Sequence, residues 1–123
     1  MTTPLKTKAA RTTILLPPPK ISSRFSVERA LFVRRSIRDY TKDPLTLPEL
    51  AQLLWSCQGI TSAEGFRTTP SAGAVFPLEI YAVVTRVEGL QAGVYHYLPD
   101  RKKHSRIWIS MCPRNRMMRI YLF

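Results

Sequence analysis

The stretch from Thr46 to Gly59 constrains the fold of this 123-residue chain more than any other segment. Thr46, Pro48 and Glu49 form the pattern of a helix start, because threonine caps the helix, proline suits the first turn and glutamate can reach back to the cap. Gly59 stands where this helix is expected to end. The sequence therefore predicts a core helix, whose apolar stripe comprises Leu47, Leu50, Leu53, Leu54 and Cys57.

Two further side chains of this helix could serve chemistry. A packing role is predicted for Trp55, in preference to stacking on a ligand. Cys57 has no second cysteine nearby, and we interpret it as a small buried hydrophobe rather than a nucleophile. Two isolated cysteines, Cys57 and Cys112, neither impose a disulfide framework nor exclude one, and a reducing cytoplasm makes free thiols the expectation.

Three arginines and a serine are concentrated directly after a second predicted helix, a short amphipathic one over residues 26–33 with Ser26 as N-cap. If the chain is extended beyond this helix, Arg34, Ser36 and Arg38 point to one side. Guanidinium groups bind phosphate through paired, charge-assisted hydrogen bonds, and a serine hydroxyl adds a donor. The segment is interpreted as an anion grip, with a solvated basic helix end as the alternative.

A loop of small residues precedes a predicted strand. Pro70 fixes its own φ angle, and the following Ser71, Ala72 and Gly73 allow the backbone to approach a flat ligand closely. Residues 78–85 are rich in β-branched and aromatic side chains, which predicts a strand buried on at least one face. The alternative is an ordinary loop before a strand.

A hairpin is predicted beyond this strand, with a glycine-containing connection at residues 88–93 and a return strand over residues 94–98. His96 lies on the return strand, where we interpret it as a surface or edge residue rather than a catalytic one. The sequence offers no Cys/His metal cluster, no Walker loop and no nucleophile elbow, and no metal is predicted.

Five segments, taken in order, resemble the FMN-dependent nitroreductase superfamily and in particular its SagB-type dehydrogenases, the azoline oxidases of peptide natural-product pathways. The resembling segments are residues 34–40, 44–55, 58–61, 67–74 and 93–97. The resemblance implies an α+β fold: the first half of a nitroreductase-like domain, with helices packed on a mainly antiparallel sheet. It extends over about residues 26–100.

The resemblance also implies where a flavin would lie. Arg34 and Ser36 would contact the phosphate end of FMN, and Arg38 would be a cation beside the pyrimidine edge, where reduced flavin carries negative charge. The small-residue loop would pack against the flavin of a partner subunit. The cofactor-binding residues predicted in this way are Arg34, Arg35, Ser36, Arg38, Pro70, Ser71, Ala72 and Gly73. Ala74 stands where many nitroreductases carry asparagine, so no polar contact is assigned to it.

The reaction implied by the resemblance is hydride transfer at flavin N5. An ordinary nitroreductase takes hydride from NAD(P)H, whereas the SagB-type branch oxidises a peptide azoline to an azole. The implied partner is a second copy in a homodimer or an intact paralogue. A non-catalytic role, as a dimerisation or regulatory partner of such a paralogue, is the alternative function.

The net charge of +11 first suggests a nucleic-acid partner. Residues 101–123 contain seven Lys and Arg and no acidic residue, so most of the excess charge lies at the C-terminal end. Because this distribution is so uneven, nucleic-acid binding by a basic tail is retained only as the weaker alternative. The apolar triplet at residues 14–16 is too short to span a membrane or form a signal-peptide core, so we expect a cytoplasmic protein without membrane attachment.

Three regions are predicted along the chain. Residues 1–25 form an extended proline-containing arm, residues 26–100 a partial nitroreductase-like domain, and residues 101–123 an irregular, poorly packed basic tail. The composition changes abruptly near residues 100–103, which leads to the hypothesis of a shifted reading frame and a truncated flavoprotein. On this hypothesis FMN affinity and activity are weak or absent.

Overall fold

The computed structural model describes residues 13–99 and the backbone of residues 107–111. The rest of the predicted arm and basic tail, including Cys112, lies outside the described residues. The elements in chain order are β1 (Thr13–Leu16), α1 (Val27–Val33), α2 (Leu47–Gln58), a 3-10 turn (Ala72–Ala74), β2 (Tyr81–Val84), β3 (Gly93–Pro99) and β4 (Ile107–Met111). Neither helix in the described part has both the length and the apolar character needed to cross a membrane.

The four strands form one sheet in the order β1-β4-β3-β2, and every neighbouring pair is antiparallel. β2 and β3 are the predicted hairpin, in register with Tyr81 opposite His96. The α+β class with an antiparallel sheet is therefore confirmed. β3 lies inside the sheet, between β4 and β2, so its residues are not at an edge.

The sheet also includes strands from both of the regions predicted to lack regular structure. β4 pairs with β3 on one side and with β1 on the other, where Thr13 is opposite Ser110 and Leu16 is opposite Ile107. The prediction of an irregular tail was therefore wrong for residues 107–111. Strands of four and five residues are too short to show a clear two-residue period, and β1 pairs with a strand almost 100 positions away in the sequence.

α2 provides the helical side of the core. It begins as predicted. The backbone N–H and the hydroxyl of Thr46 each donate a hydrogen bond to Glu49 Oε2, and both donor–acceptor distances are 2.8 Å. These bonds, the backbone bond first, hold the pKa of Glu49 below its usual value. The hydrophobic core consists of three side chains from α2 and four from the sheet: Leu50, Ala51, Leu54, Leu16, Val84, Tyr95 and Tyr97.

The buried face of α2 is rotated from the predicted stripe. Leu53 is 56% exposed and Cys57 is exposed, whereas Ala51 and Gln58 are buried. The prediction that Cys57 is a buried hydrophobe was therefore wrong. The four leucines of α2 form one stripe, and their spacing alone did not show that the buried face is centred to one side of it, towards Ala51 and Gln58.

Gly59 ends α2 as predicted, although for a different physical reason. Its backbone is extended, with φ −64° and ψ 146°, a conformation that other residues adopt readily. A Cβ at this position would lie only 2.5 Å from Cγ of the Trp55 ring. Trp55 packs against the hydrophobic core, which confirms its packing role, and glycine leaves room for its ring.

α1 begins at Ser26, whose hydroxyl accepts a hydrogen bond from the Arg29 N–H at 3.2 Å. The predicted helix is thus confirmed, but it buries none of its residues. Leu31 and Phe32 are 70% and 76% exposed, and every residue from 20 to 45 is exposed. The exposed side chains of α1 form an apolar surface, and this short helix lacks the packing from which helices gain most of their stability in the described part of the chain.

Candidate functional site

The basic segment, defined as Arg34, Arg35, Ser36 and Arg38, follows α1 on the surface of the molecule. Residues 34–41 have no regular secondary structure. Nη1 of Arg35 donates to the carbonyl oxygens of Phe32 at 3.0 Å and Arg34 at 2.8 Å. Arg35 therefore helps to satisfy the carbonyl groups at the end of α1.

The other three side chains of the basic segment are available for a ligand. Arg34, Ser36 and Arg38 are exposed, and none of their side chains makes a hydrogen bond within the part of the chain that the structure describes. The two guanidinium groups offer hydrogen-bond donors only, and the hydroxyl adds one more donor, which suits an anionic group such as a phosphate. Their common orientation remains a prediction.

The small-residue loop, defined as residues 70–73, is anchored to the C-terminal end of α2. The Thr68 hydroxyl donates to the Trp55 carbonyl at 3.1 Å, and the Thr69 hydroxyl donates to the Cys57 carbonyl at 3.0 Å. The Thr68 N–H donates to the Gly59 carbonyl at 2.9 Å. The Trp55 carbonyl also accepts the Gly59 N–H, whereas carbonyl groups at the very end of a helix lack such a partner. The bonds from Thr68 and Thr69 fix the loop at the position where α2 ends.

The loop runs into a turn with an unusual backbone. Gly73, Ala74 and Phe76 have positive φ angles of 63°, 53° and 49°. For alanine and phenylalanine this left-handed conformation costs about 1–2 kcal/mol each. The Ser71 hydroxyl accepts a hydrogen bond from the Phe76 N–H at 2.9 Å, which holds the turn and leaves the serine proton free to donate.

The basic segment and the small-residue loop are not joined in the described part of the chain, where no hydrogen bond runs from one to the other. Each has features that fit part of a flavin mononucleotide. Unpaired guanidinium groups fit the phosphate, and a Cβ added to Gly73 would have no neighbour closer than 3.7 Å, so the loop backbone is open to a flat ring. The residues present therefore fit FMN as two separate surfaces.

A cleft of about 210 Å³ beside β2 and β3 was not predicted from the sequence. Nη1 of Arg67 donates to Gln58 Oε1 at 3.3 Å, and the guanidinium carbon lies 4.6 Å from the centroid of the Phe76 ring. The side chain of Tyr97 also lines this cleft. One signal was present in the sequence, since Gln58 follows Leu50 and Leu54 at four-residue intervals and places an amide on the apolar face.

The rim of the cleft carries an acid–base cluster. Glu79 Oε2 accepts a hydrogen bond from the Tyr81 hydroxyl at 3.1 Å and lies 3.4 Å from His96 Nε2. The rings of Tyr81 and His96 stack with centroids 4.6 Å apart. His96 is not an edge residue, because β3 is an interior strand, and its side chain is 21% exposed. Its interpretation as non-catalytic stays a prediction.

Comparison with known proteins agrees with this geometry. Residues 31–107 match the sequence profile of the Nitroreductase family. Over 81 residues the chain is 49% identical to the protein named "Putative nitroreductase MJ1384" from Methanocaldococcus jannaschii, and the alignment covers 66% of this chain and 41% of that relative. The chain thus spans less than half the length of this relative. Because the family profile covers more than half of the 123 residues, the chain belongs to the nitroreductase family.

Proposed function

We propose that this chain is part of an FMN-dependent oxidoreductase of the SagB-type branch. Proteins of the nitroreductase family are oxidoreductases that generally bind flavin cofactors. The observation that carries the proposal is the set of unpaired donors in the basic segment, together with the anchored, left-handed turn after the small-residue loop. When bound, FMN supplies hydride transfer at its N5 atom.

The basic segment binds the charged parts of the cofactor. Arg34 and Ser36 donate hydrogen bonds to the phosphate, and Arg38 places a positive charge at the pyrimidine edge of the ring. The bond from Arg35 to the end of α1 holds the start of this segment in place. These residues bind and orient the cofactor, and no general base is assigned among them.

The second surface, the small-residue loop, packs against the FMN bound by a partner chain. Two features support a site between chains: no hydrogen bond joins the two surfaces within the described part of one chain, and the apolar residues of α1 lie exposed beside the basic segment. A second copy of this chain is the proposed partner, since a two-fold axis would create two equivalent sites.

The affinity for FMN tests the assignment of the basic segment. Fluorescence titration with FMN, carried to saturation, measures it directly. Arg38→Ala is expected to weaken binding about tenfold, the effect of losing one charge-assisted contact. Arg24→Ala is the matched control, since Arg24 is also exposed but precedes α1. Equal affinities of Arg38→Ala and the unmodified chain would contradict the assignment.

The SagB-type branch implies a peptide azoline as the reduced substrate. In the test, the FMN-saturated protein is incubated either with an azoline peptide or with NAD(P)H. The absorbance of oxidised flavin is monitored in each case. Bleaching by the azoline peptide, with formation of the azole, is expected. Bleaching by NAD(P)H, with no bleaching by the azoline peptide, would assign the chain to the ordinary nitroreductases instead.

A second function is favoured by the exposed apolar face of α1. The chain could act without catalysis, as a dimerisation or regulatory partner of an intact paralogue. Purified protein would then be colourless, would show no saturable FMN binding and would co-purify with the paralogue. Saturable FMN binding by the chain alone separates the first proposal from this one.

A further inference from the structure

The small-residue loop lies between two residues whose side chains meet. Arg67 precedes the loop and Phe76 follows it, and the guanidinium carbon of Arg67 lies 4.6 Å from the centroid of the Phe76 ring. A guanidinium over the face of an aromatic ring at this distance is attracted by the charge distribution of the ring. This contact, the clasp, therefore joins the two ends of the loop.

Arg67 is the fixed half of the clasp. Its backbone pairs with that of Ile60, which is 4% exposed, in an isolated β-bridge. Nη1 of its side chain donates to Gln58 Oε1 at 3.3 Å, and Gln58 is buried at the end of α2. Because its backbone and its side chain are both attached to the buried part of the molecule, the guanidinium holds a fixed position against the ring.

Phe76 is an attachment point of the turn that follows the loop. Within residues 72–79, all of which the structure describes, every residue is exposed except Phe76, which is partly buried. The φ angles of Ala74 and Phe76 are 53° and 49°, a left-handed conformation that both residue types resist. Such a turn persists only where other contacts hold it. Two contacts of this kind at Phe76 are the clasp and the bond from its N–H to the Ser71 hydroxyl.

We propose that Arg67 and Phe76 are positioning residues for FMN, which hold the small-residue loop in the shape that packs against the flavin ring. The inference rests on the proposed flavin function, and it adds two residues to those assigned to the cofactor. Neither side chain needs to touch FMN. Arg67 acts on the Phe76 ring, and the Phe76 N–H acts on Ser71, so the clasp is linked to a residue of the loop.

The left-handed conformation of the turn predicts which substitution compensates for loss of the clasp. Without the clasp the turn relaxes, because Ala74 favours other backbone conformations. Glycine adopts positive φ angles about as readily as negative ones. Ala74→Gly therefore reduces the tendency of the turn to relax, and loss of the clasp should matter less in its presence. Ala74 is exposed, so removal of its methyl group removes no buried contact.

The experiment measures FMN affinity by fluorescence titration of the full-length chain. Phe76→Leu keeps an apolar side chain but removes the ring, and it is expected to weaken binding about three- to tenfold. Phe76→Tyr keeps the ring and is expected to bind FMN as tightly as the unmodified chain. Phe66→Leu is the matched control, because the Phe66 N–H also donates to a serine hydroxyl, that of Ser62, and the Phe66 ring is 62% exposed.

A rescue experiment separates positioning from direct contact with the cofactor. In an Ala74→Gly background, Phe76→Leu is expected to change the FMN dissociation constant by less than about twofold, because the turn then keeps its shape without the clasp. NMR of the chain without FMN gives a second readout, since the one-bond coupling between Cα and Hα of Ala74 depends on its φ angle. This coupling is expected to change in Phe76→Leu but not in Phe76→Tyr.

Three results would overturn the inference and leave the flavin function in place: equal FMN affinity of Phe76→Leu and the unmodified chain, an equal loss in Phe66→Leu, or a loss that Ala74→Gly does not reduce. The last result would show that the ring contacts the cofactor directly. If the unmodified chain bound no FMN, the flavin function itself would fail and the inference with it. Circular dichroism checks the fold, and Phe76→Met, which also lacks the ring, replaces Phe76→Leu if that variant is unfolded.

Discussion

Tyr95 and Tyr97 lie on one face of β3 and are 1% and 3% exposed, but only Tyr95 has its hydroxyl paired, with the Gln91 carbonyl 2.9 Å away. Tyr95→Phe is expected to lower the free energy of unfolding by about 1 kcal/mol, because it removes this bond. Tyr97→Phe is expected to raise it by about 1 kcal/mol, because it removes a desolvated, unpaired group. Urea denaturation of both variants measures the two effects, and equal losses would show that Tyr97 has a partner.

Gly59 is required by the ring of Trp55 rather than by its own backbone conformation. Gly59→Ala is expected to lower the free energy of unfolding by about 1–3 kcal/mol, because the added methyl group overlaps the ring. The loss should shrink when the same change is made in a Trp55→Leu background, where the ring is absent. A double-mutant cycle by denaturant unfolding measures this coupling. Equal losses in the two backgrounds would exclude the overlap as the cause.

Glu49 links the start of α2 to pH. Its pKa is lowered in the folded chain from the ordinary value of 4.5, so its contribution to stability is present above pH 4.5 and is lost as the pH falls through the folded value. Glu49→Gln is expected to reduce the dependence of the melting temperature on pH between about 3 and 5, because the amide does not titrate in this range. Thermal denaturation at a series of pH values measures this dependence. Glu79→Gln is the control, because it removes a carboxylate elsewhere in the chain. If the melting temperature of Glu49→Gln depended on pH as strongly as that of the unmodified chain, the account would be contradicted.

The apolar face of α1 is predicted to be a contact between chains. Leu31→Ser is expected to change the free energy of unfolding of the isolated chain by no more than about 0.5 kcal/mol, because Leu31 is exposed. The same change is expected to weaken self-association about tenfold or more. Leu53→Ser on α2 is the control, since Leu53 is also exposed and apolar. Sedimentation velocity over a range of concentrations measures the effect. Equal association of the two variants would place the contact elsewhere.

Much of the fold was predictable because its signals are local. The caps at Ser26 and Thr46 are formed by residues within three positions of each other, so both helix starts were predicted correctly. The pairing of β1 with β4 joins residues almost 100 positions apart, such as Thr13 and Ser110, and short-range patterns carry no signal for it. The rotation of α2 was missed for the same reason, since the sheet determines which side is buried.

The candidate site was predictable in its composition more than in its geometry. A cluster of arginines marked the basic segment, and a run of small residues marked the small-residue loop. The anchoring of the loop by Thr68 and Thr69, and the positive φ angles of Ala74 and Phe76, depend on where α2 ends in space. The unpaired Tyr97 was not predictable, because a tyrosine on a strand reads as an ordinary core residue.

The central claim, that an FMN site is shared between two chains, is tested most directly by complementation. One variant carries Arg34→Ala and Arg38→Ala, and the other carries Ala72→Leu, which adds bulk to an exposed position of the loop. Each variant alone is expected to lose FMN binding in a fluorescence titration. After exchange of subunits in a 1:1 mixture, about one quarter of the original FMN sites should return, because half of the dimers are mixed and each of these has one intact site. A mixture that binds no more FMN than the separate variants would contradict the claim.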